Sequence, residues 1–145
     1  MRILLDEHIP APLLELLRID ESHAFAHVND LSLTGTPDAA LFKRARELGF
    51  DTIVSLDRNQ LTYEREWRAL RRARLHHVSL RQSRATQGER GTLRMVASIA
   101  VAIPRVLDFL AACDSPQVVE IALLSDSKRF DAISHHQHEQ GKSRV

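Results

Sequence analysis

The amino-acid sequence predicts an α/β fold layered on a mostly parallel sheet. Short apolar runs of strand length alternate with stretches of helical periodicity, and the connections between them are short. The first and third of these runs end in aspartate, and in open parallel sheets ligands bind beyond the carboxyl ends of the strands.

The elements follow in order. Arg2-Ile3-Leu4-Leu5 is a buried strand that delivers Asp6, and the helix after Pro10 and Pro12 carries Leu13, Leu14, Leu16 and Leu17. His23 to Val28 is a second strand, and Asn29, Asp30, Gly35 and Pro37 mark a loop. Thr36 as N-cap and Pro37 as first helical residue start the next helix. Its apolar face is Leu41, Phe42, Ala45 and Leu48, Gly49 stops it, and Asp38 falls in its first turn. Thr52 to Leu56 is the third strand, ending at Asp57, Arg58, Asn59 and Gln60. An arginine-rich helix from about Tyr63 to Arg72, a strand at His76 to Leu80, a helical stretch from Thr92 to Cys113 and a last strand at Val118 to Leu124 complete the pattern. Pro104 is expected to kink or split the long helical stretch.

Length and composition narrow the class. A chain of 145 residues, 43% apolar and 27% charged, suits one globular domain, taken here as residues 1–133, with a polar, histidine-rich tail over 134–145 read as disordered. Cys113 is the single cysteine, so no internal disulfide forms; its apolar neighbours suggest a packed thiol. No signal-peptide pattern opens the chain, and the longest apolar stretch, Met95 to Ile103, is far short of a membrane span, so a cytoplasmic location is expected. The net charge of +1 gives no global attraction to nucleic acid, but arginines crowd between Arg65 and Arg94.

Three acids carry the chemistry. Mg²⁺ and Mn²⁺ prefer hard oxygen ligands and take only one or two carboxylates, leaving room for water and phosphate oxygens. Asp6, Asp38 and Asp57 are the candidates, with Glu7 and Asn59 beside two of them. The plain alternative is that an acid after a strand is a loop residue, and that Asp38 sits in a first helical turn because the helix dipole favours it there.

Leu4-Leu5-Asp6-Glu7-His8-Ile9-Pro10, then Asp30 to Asp38, then Val54-Ser55-Leu56-Asp57-Arg58-Asn59, resemble in order and spacing the compact bacterial PIN-like proteins. The likeness covers the first half of the chain. It implies a three-layer α/β/α sandwich and a metal-dependent ribonuclease, of a kind often found as the toxin of a toxin–antitoxin pair. It also implies metal-ligand positions for Asp6, Asp38 and Asp57, a catalytic set of these three with Asn59, and Mg²⁺ or Mn²⁺ as cofactor. RNA is the implied substrate, hydrolysed by a metal-activated water to 5′-phosphate and 3′-hydroxyl ends. The expected partners are RNA and a cognate antitoxin protein, with pairing of two chains an open question. The sequence departs from the family pattern at His8 (commonly asparagine), Ser55 (commonly threonine) and Asn59 (commonly aspartate). Asn59 can coordinate through its amide oxygen but brings no charge, so weaker ion binding is expected.

Arg65, Arg68 and Arg72 recur on one helix face, with Arg71 and Arg74 adjacent, as a stripe for a phosphate backbone; Arg58 and Ser55 are further substrate-binding candidates. The alternative is a solvated helix whose arginines are balanced by Glu64 and Glu66. The segment Gln82 to Gly91, polar and with Arg84 and Arg90, reads as an arm over the site, and it lacks the lysine and glycine spacing of a nucleotide-binding loop. His135, His136 and His138 read as a solvated tract rather than a metal site. Two rivals remain on sequence: a phosphoacceptor receiver domain with Asp57 as acceptor and Lys128 as its late lysine, and an inactive module that only grips RNA or protein.

Overall fold

The computed structural model describes residues 1–57 and 59–125. Five strands, β1 (Arg2–Leu5), β2 (Ala24–His27), β3 (Thr52–Ser55), β4 (His76–Leu80) and β5 (Val118–Ile121), pair in parallel in the order β2-β1-β3-β4-β5. The helices α1 (Ala11–Leu17), α2 (Asp38–Glu47), α3 (Glu64–Ala73) and α4 (Gly88–Ala111) connect them. This is the α/β/α three-layer sandwich that the alternation and the resemblance imply.

Side-chain alternation along the strands assigns the two faces. Ile3, Leu5, Val54, Val78 and Leu80 pack with Leu13, Leu14 and Leu17 of α1 and Ile99, Ile103, Leu107 and Leu110 of α4. Leu4 and Ile53 point the other way, into a second core with Leu41, Phe42 and Ala45 of α2 and Leu70 and Ala73 of α3. Both faces of the strands are covered, which is why they read as continuous apolar runs rather than as alternating ones. The order reverses at β1, whose neighbours are β2 and β3, so the topological switch point lies between the ends of β1 and β3.

Several boundaries differ from expectation. Thr36 does not cap α2: Pro37 holds the N-cap place with extended backbone and no side-chain cap bond, so Asp38 becomes the first helical residue. Gly49 does end α2, at φ +83, where its N–H and that of Phe50 bond back to Arg46 and Ala45. Pro104 does not split α4, which runs unbroken from Gly88 to Ala111. Pro104 is exposed while Ile103, Leu107 and Leu110 are buried, so the missing backbone bond falls on the solvent side. The Gln82 to Gly91 arm is ordered as a 3₁₀ turn at Arg84–Thr86, capped by Ser83, leading directly into α4, and the Gln82 side chain donates to the Leu56 carbonyl. Cys113 is half-exposed at the end of α4, not packed in a core, because it follows the last buried position, Leu110. The tail from 134 onward, Lys128 and Arg58 lie outside the described residues. Among the described residues no helix is long and apolar enough to cross a membrane.

Candidate functional site

Sheet register builds the first part of the site. Leu5 pairs with Val54, so the next residues, Asp6 and Ser55, stand side by side, and the Asp6 N–H still bonds the Val54 carbonyl at 3.0 Å. Two residues beyond Leu4 and Ile53, both side chains turn toward the layer of α2 and α3. The Asp6 carboxylate, 6% exposed, is held at both oxygens. Oδ1 accepts from the Glu7 N–H at 2.8 Å; Oδ2 accepts from Ser55 Oγ at 2.8 Å and from Gln60 Nε2 at 3.2 Å.

Asp38 arrives from the other side, at the N-terminus of α2, where the helix dipole favours an anion. Its Oδ1 accepts from the same Gln60 Nε2 at 3.0 Å. One amide nitrogen thus faces oxygens of two carboxylates, with one hydrogen for each. Gln60 is 1% exposed, and its Oε1 accepts from Nε2 of buried His77 at 2.8 Å. The opposite amide orientation would set Oε1 against two carboxylates, so the network fixes both the Gln60 flip and the His77 tautomer. His77 is then neutral with an unpartnered Nδ1, and burial lowers its pKa to about 4. Phe42 of α2 packs against its ring at a steep angle.

The field at Asp38 is negative. Burial raises the pKa of Asp38; the Gln60 hydrogen bond opposes this, and the charges of Asp57, Asp6 and Glu66 push it further up. Asp57 therefore lies close enough to act on Asp38, as its place at the end of β3 requires. Its N–H donates to Ser55 Oγ at 3.0 Å and its Oδ1 accepts from the Asn59 N–H at 2.8 Å, a turn that fixes the carboxylate. Asn59 is exposed and takes part through its backbone. Glu7 is also exposed and closes a loop: Oε2 accepts from the Gly35 N–H at 3.1 Å, tying the β1 end to the segment that enters α2.

Glu66, a solvated counter-charge in the alternative reading of this helix, is instead buried in the first turn of α3, with Oε1 paired to Arg65 at 2.9 Å and Oε2 without a hydrogen-bond partner. The physical cause is helix phase: Glu66 shares the inward side with Leu70 and Ala73. Burial opposes its ionisation, but the hydrogen bonds and charge of Arg65 outweigh this and keep its pKa below the ordinary value. Glu64 does balance arginines, taking Arg68 at 3.3 Å and Arg71 at 2.8 Å. Arg65, Arg68 and Arg72 join Lys43 and Arg46 of α2 along a groove of about 810 Å³ between α2 and α3. A smaller cleft of about 270 Å³ opens at Asp57, beside Ser79, Arg81 and Glu120.

Among the described residues no three His, Cys, Asp or Glu side chains gather closely enough to hold a metal ion by themselves. Mg²⁺ needs no such cage, since one or two carboxylates and water complete its shell. The paired oxygens of Asp6 and Asp38 and the repulsion at Asp38 fit a hard divalent cation held by two carboxylates. Gln60 and Glu66 carry no sequence signal beyond polarity, and strand alternation turns one of His76 and His77 inward without saying which; the tertiary fold decides all three. His27 is a fourth such residue: buried, it donates from Nε2 to the Ile9 carbonyl and accepts the Asn29 N–H at Nδ1, anchoring the loop after Asp6.

A family model described as a PIN-like domain matches residues 1–82, which include Asp6, Asp38, Asp57, Gln60 and His77. No curated protein and no solved structure matches the chain significantly. The match spans more than half of the sequence, and with the parallel sheet and the acids at its carboxyl edge it places the chain in the PIN-like domain family, whose members are generally nucleases.

Proposed function

We propose that this protein is a Mg²⁺- or Mn²⁺-dependent endoribonuclease. The observation that carries the reading is the meeting of Asp6 and Asp38 at one point beside the switch of the sheet, in a chain of a nuclease family. Asp6 and Asp38 hold the ion, and Asp57, fixed by its turn, adds charge from the β3 side. When bound, the ion lowers the pKa of a water and shields phosphate charge. Ser55 keeps Asp6 in place, which matters because a displaced ligand costs rate steeply.

The groove between α2 and α3 supports RNA as substrate. Five cations, Lys43, Arg46, Arg65, Arg68 and Arg72, face two carboxylates, Glu47 and Glu64, along two helices whose first turns carry Asp38 and Glu66. A phosphate backbone seated there leads to the acids. The same groove would accept an acidic segment of an antitoxin, which would block the path; this is the basis for a toxin role. The test incubates the purified chain with single-stranded RNA and Mn²⁺. Cleavage to 5′-phosphate and 3′-hydroxyl ends, abolished by EDTA, is expected; RNA left intact at every ion tested contradicts the reading.

One observation favours a second reading. The strand order is that of the flavodoxin-like doubly wound folds, which includes receiver domains, and Asp57 ends the strand where such a domain carries its phosphoacceptor. Family membership and the Gln60-bridged pair favour the nuclease. Stable labelling of Asp57 by acetyl phosphate would reverse that preference.

A further inference from the structure

We propose that the Gln60 amide is a built-in placeholder for the divalent ion, oriented by His77 and withdrawn from between Asp6 and Asp38 when the ion enters. The inference rests on the cation reading of this site. It concerns a residue outside the acidic set.

Two carboxylates brought to one point repel each other and must be neutralised, protonated or separated. Here Gln60 Nε2 stands 3.2 Å from Asp6 Oδ2 and 3.0 Å from Asp38 Oδ1, so both amide hydrogens serve these two oxygens. An amide NH₂ group carries partial positive charge on two divergent hydrogens, which makes it a weak neutral substitute for a cation. It occupies the place from which both oxygens can be reached at once. His77 makes this arrangement specific. Its Nε2–H holds Oε1 at 2.8 Å, and with Gln60 1% and His77 2% exposed, water does not compete for either end of the amide.

The consequence is a linkage between ion binding and folding. With Gln60 in place the ion-free site is stabilised, so the ion binds against that stabilisation, and apparent affinity is lowered accordingly. Removing the amide weakens the ion-free protein and tightens ion binding. A residue that only oriented the carboxylates for the ion would do the reverse, since its loss typically weakens metal affinity.

The test is Mn²⁺ titration by calorimetry of wild type, Gln60→Met and Asp6→Asn, with thermal unfolding with and without the ion. Methionine keeps volume and removes both donors. Expected for Gln60→Met are a lower melting temperature without ion, Mn²⁺ affinity at least tenfold tighter, and a larger rise in melting temperature on adding Mn²⁺. Affinity that is unchanged or weaker in Gln60→Met, while wild type binds and Asp6→Asn does not, overturns the placeholder and leaves the cation site standing. No binding by wild type removes the cation site and the placeholder together. Should Gln60→Met fail to fold, wild-type crystals soaked with Mn²⁺ decide. An anomalous peak between Asp6 and Asp38 with the Gln60 amide moved away supports the proposal. An amide still donating to both carboxylates refutes it.

Discussion

Ser55 Oγ donates a 2.8 Å hydrogen bond to Asp6 Oδ2 across 49 residues of sequence, and the same oxygen accepts the Asp57 N–H at 3.0 Å. One hydroxyl, fully buried, thus joins the ends of β1 and β3 and fixes two acids relative to each other. The bond follows from register: Leu5 opposite Val54 leaves Asp6 opposite Ser55.

Ser55→Ala removes a donor to a charged group and leaves the Asp57 N–H unpaired. Urea denaturation is expected to show a loss of about 1–3 kcal/mol. RNA cleavage should fall by more than this stability change explains, because Asp6 loses one of its fixed contacts. Unaltered stability would mean that the hydroxyl is dispensable.

His77 predicts how stability depends on pH. Its folded pKa, lowered by burial to about 4, lies below its ordinary value of 6.5, so between these values the unfolded chain binds the proton and the folded chain does not. Stability from this group is complete above the upper value and is lost as pH falls through the window, by roughly 2 kcal/mol at pH 5. Chemical denaturation across this range, compared with His77→Gln, isolates the contribution; equal slopes in the two proteins would contradict it.

Arg68 is exposed and paired with Glu64, so Arg68→Ala should change stability by less than about 0.5 kcal/mol. Its expected effect is on substrate: RNA affinity falls several-fold, and the slope of log affinity against log salt shrinks by about 0.7 if one phosphate contact is lost. Turnover of bound RNA should be unchanged. A filter-binding salt series checks both.

Gly91 lies one turn into α4, and a Cβ there would come within 2.2 Å of the Thr86 carbonyl carbon. Backbone cannot yield as a flexible side chain does, so Gly91→Ala is expected to destabilise the protein by about 3 kcal/mol or more. Thermal unfolding measures it. A neutral result would show that the Arg84–Thr86 turn is free to move.

The fold was legible where burial leaves a local mark. The apolar runs at Ile3, Ile53 and Val78 announce strands covered on both faces, and Asp6 and Asp57 are visible because charge follows each run at once. Asp38 was legible from Pro37, although the helix begins one residue later than a Thr36 cap would place it. Gln60, His77 and Glu66 were not. A glutamine in a polar turn and a glutamate among arginines look solvated until α2 and α3 close over them, while strand alternation turns one of His76 and His77 inward without saying which. Pro104 misled for a related reason: its effect depends on which side of the helix faces water, and local sequence near Pro104 does not state that.

The most direct test measures Mn²⁺-dependent RNA cleavage by the Asp6→Asn, Asp57→Asn double variant, with circular dichroism to confirm its fold. The account predicts a folded protein with cleavage reduced to background. Cleavage at the wild-type rate by that variant would contradict it.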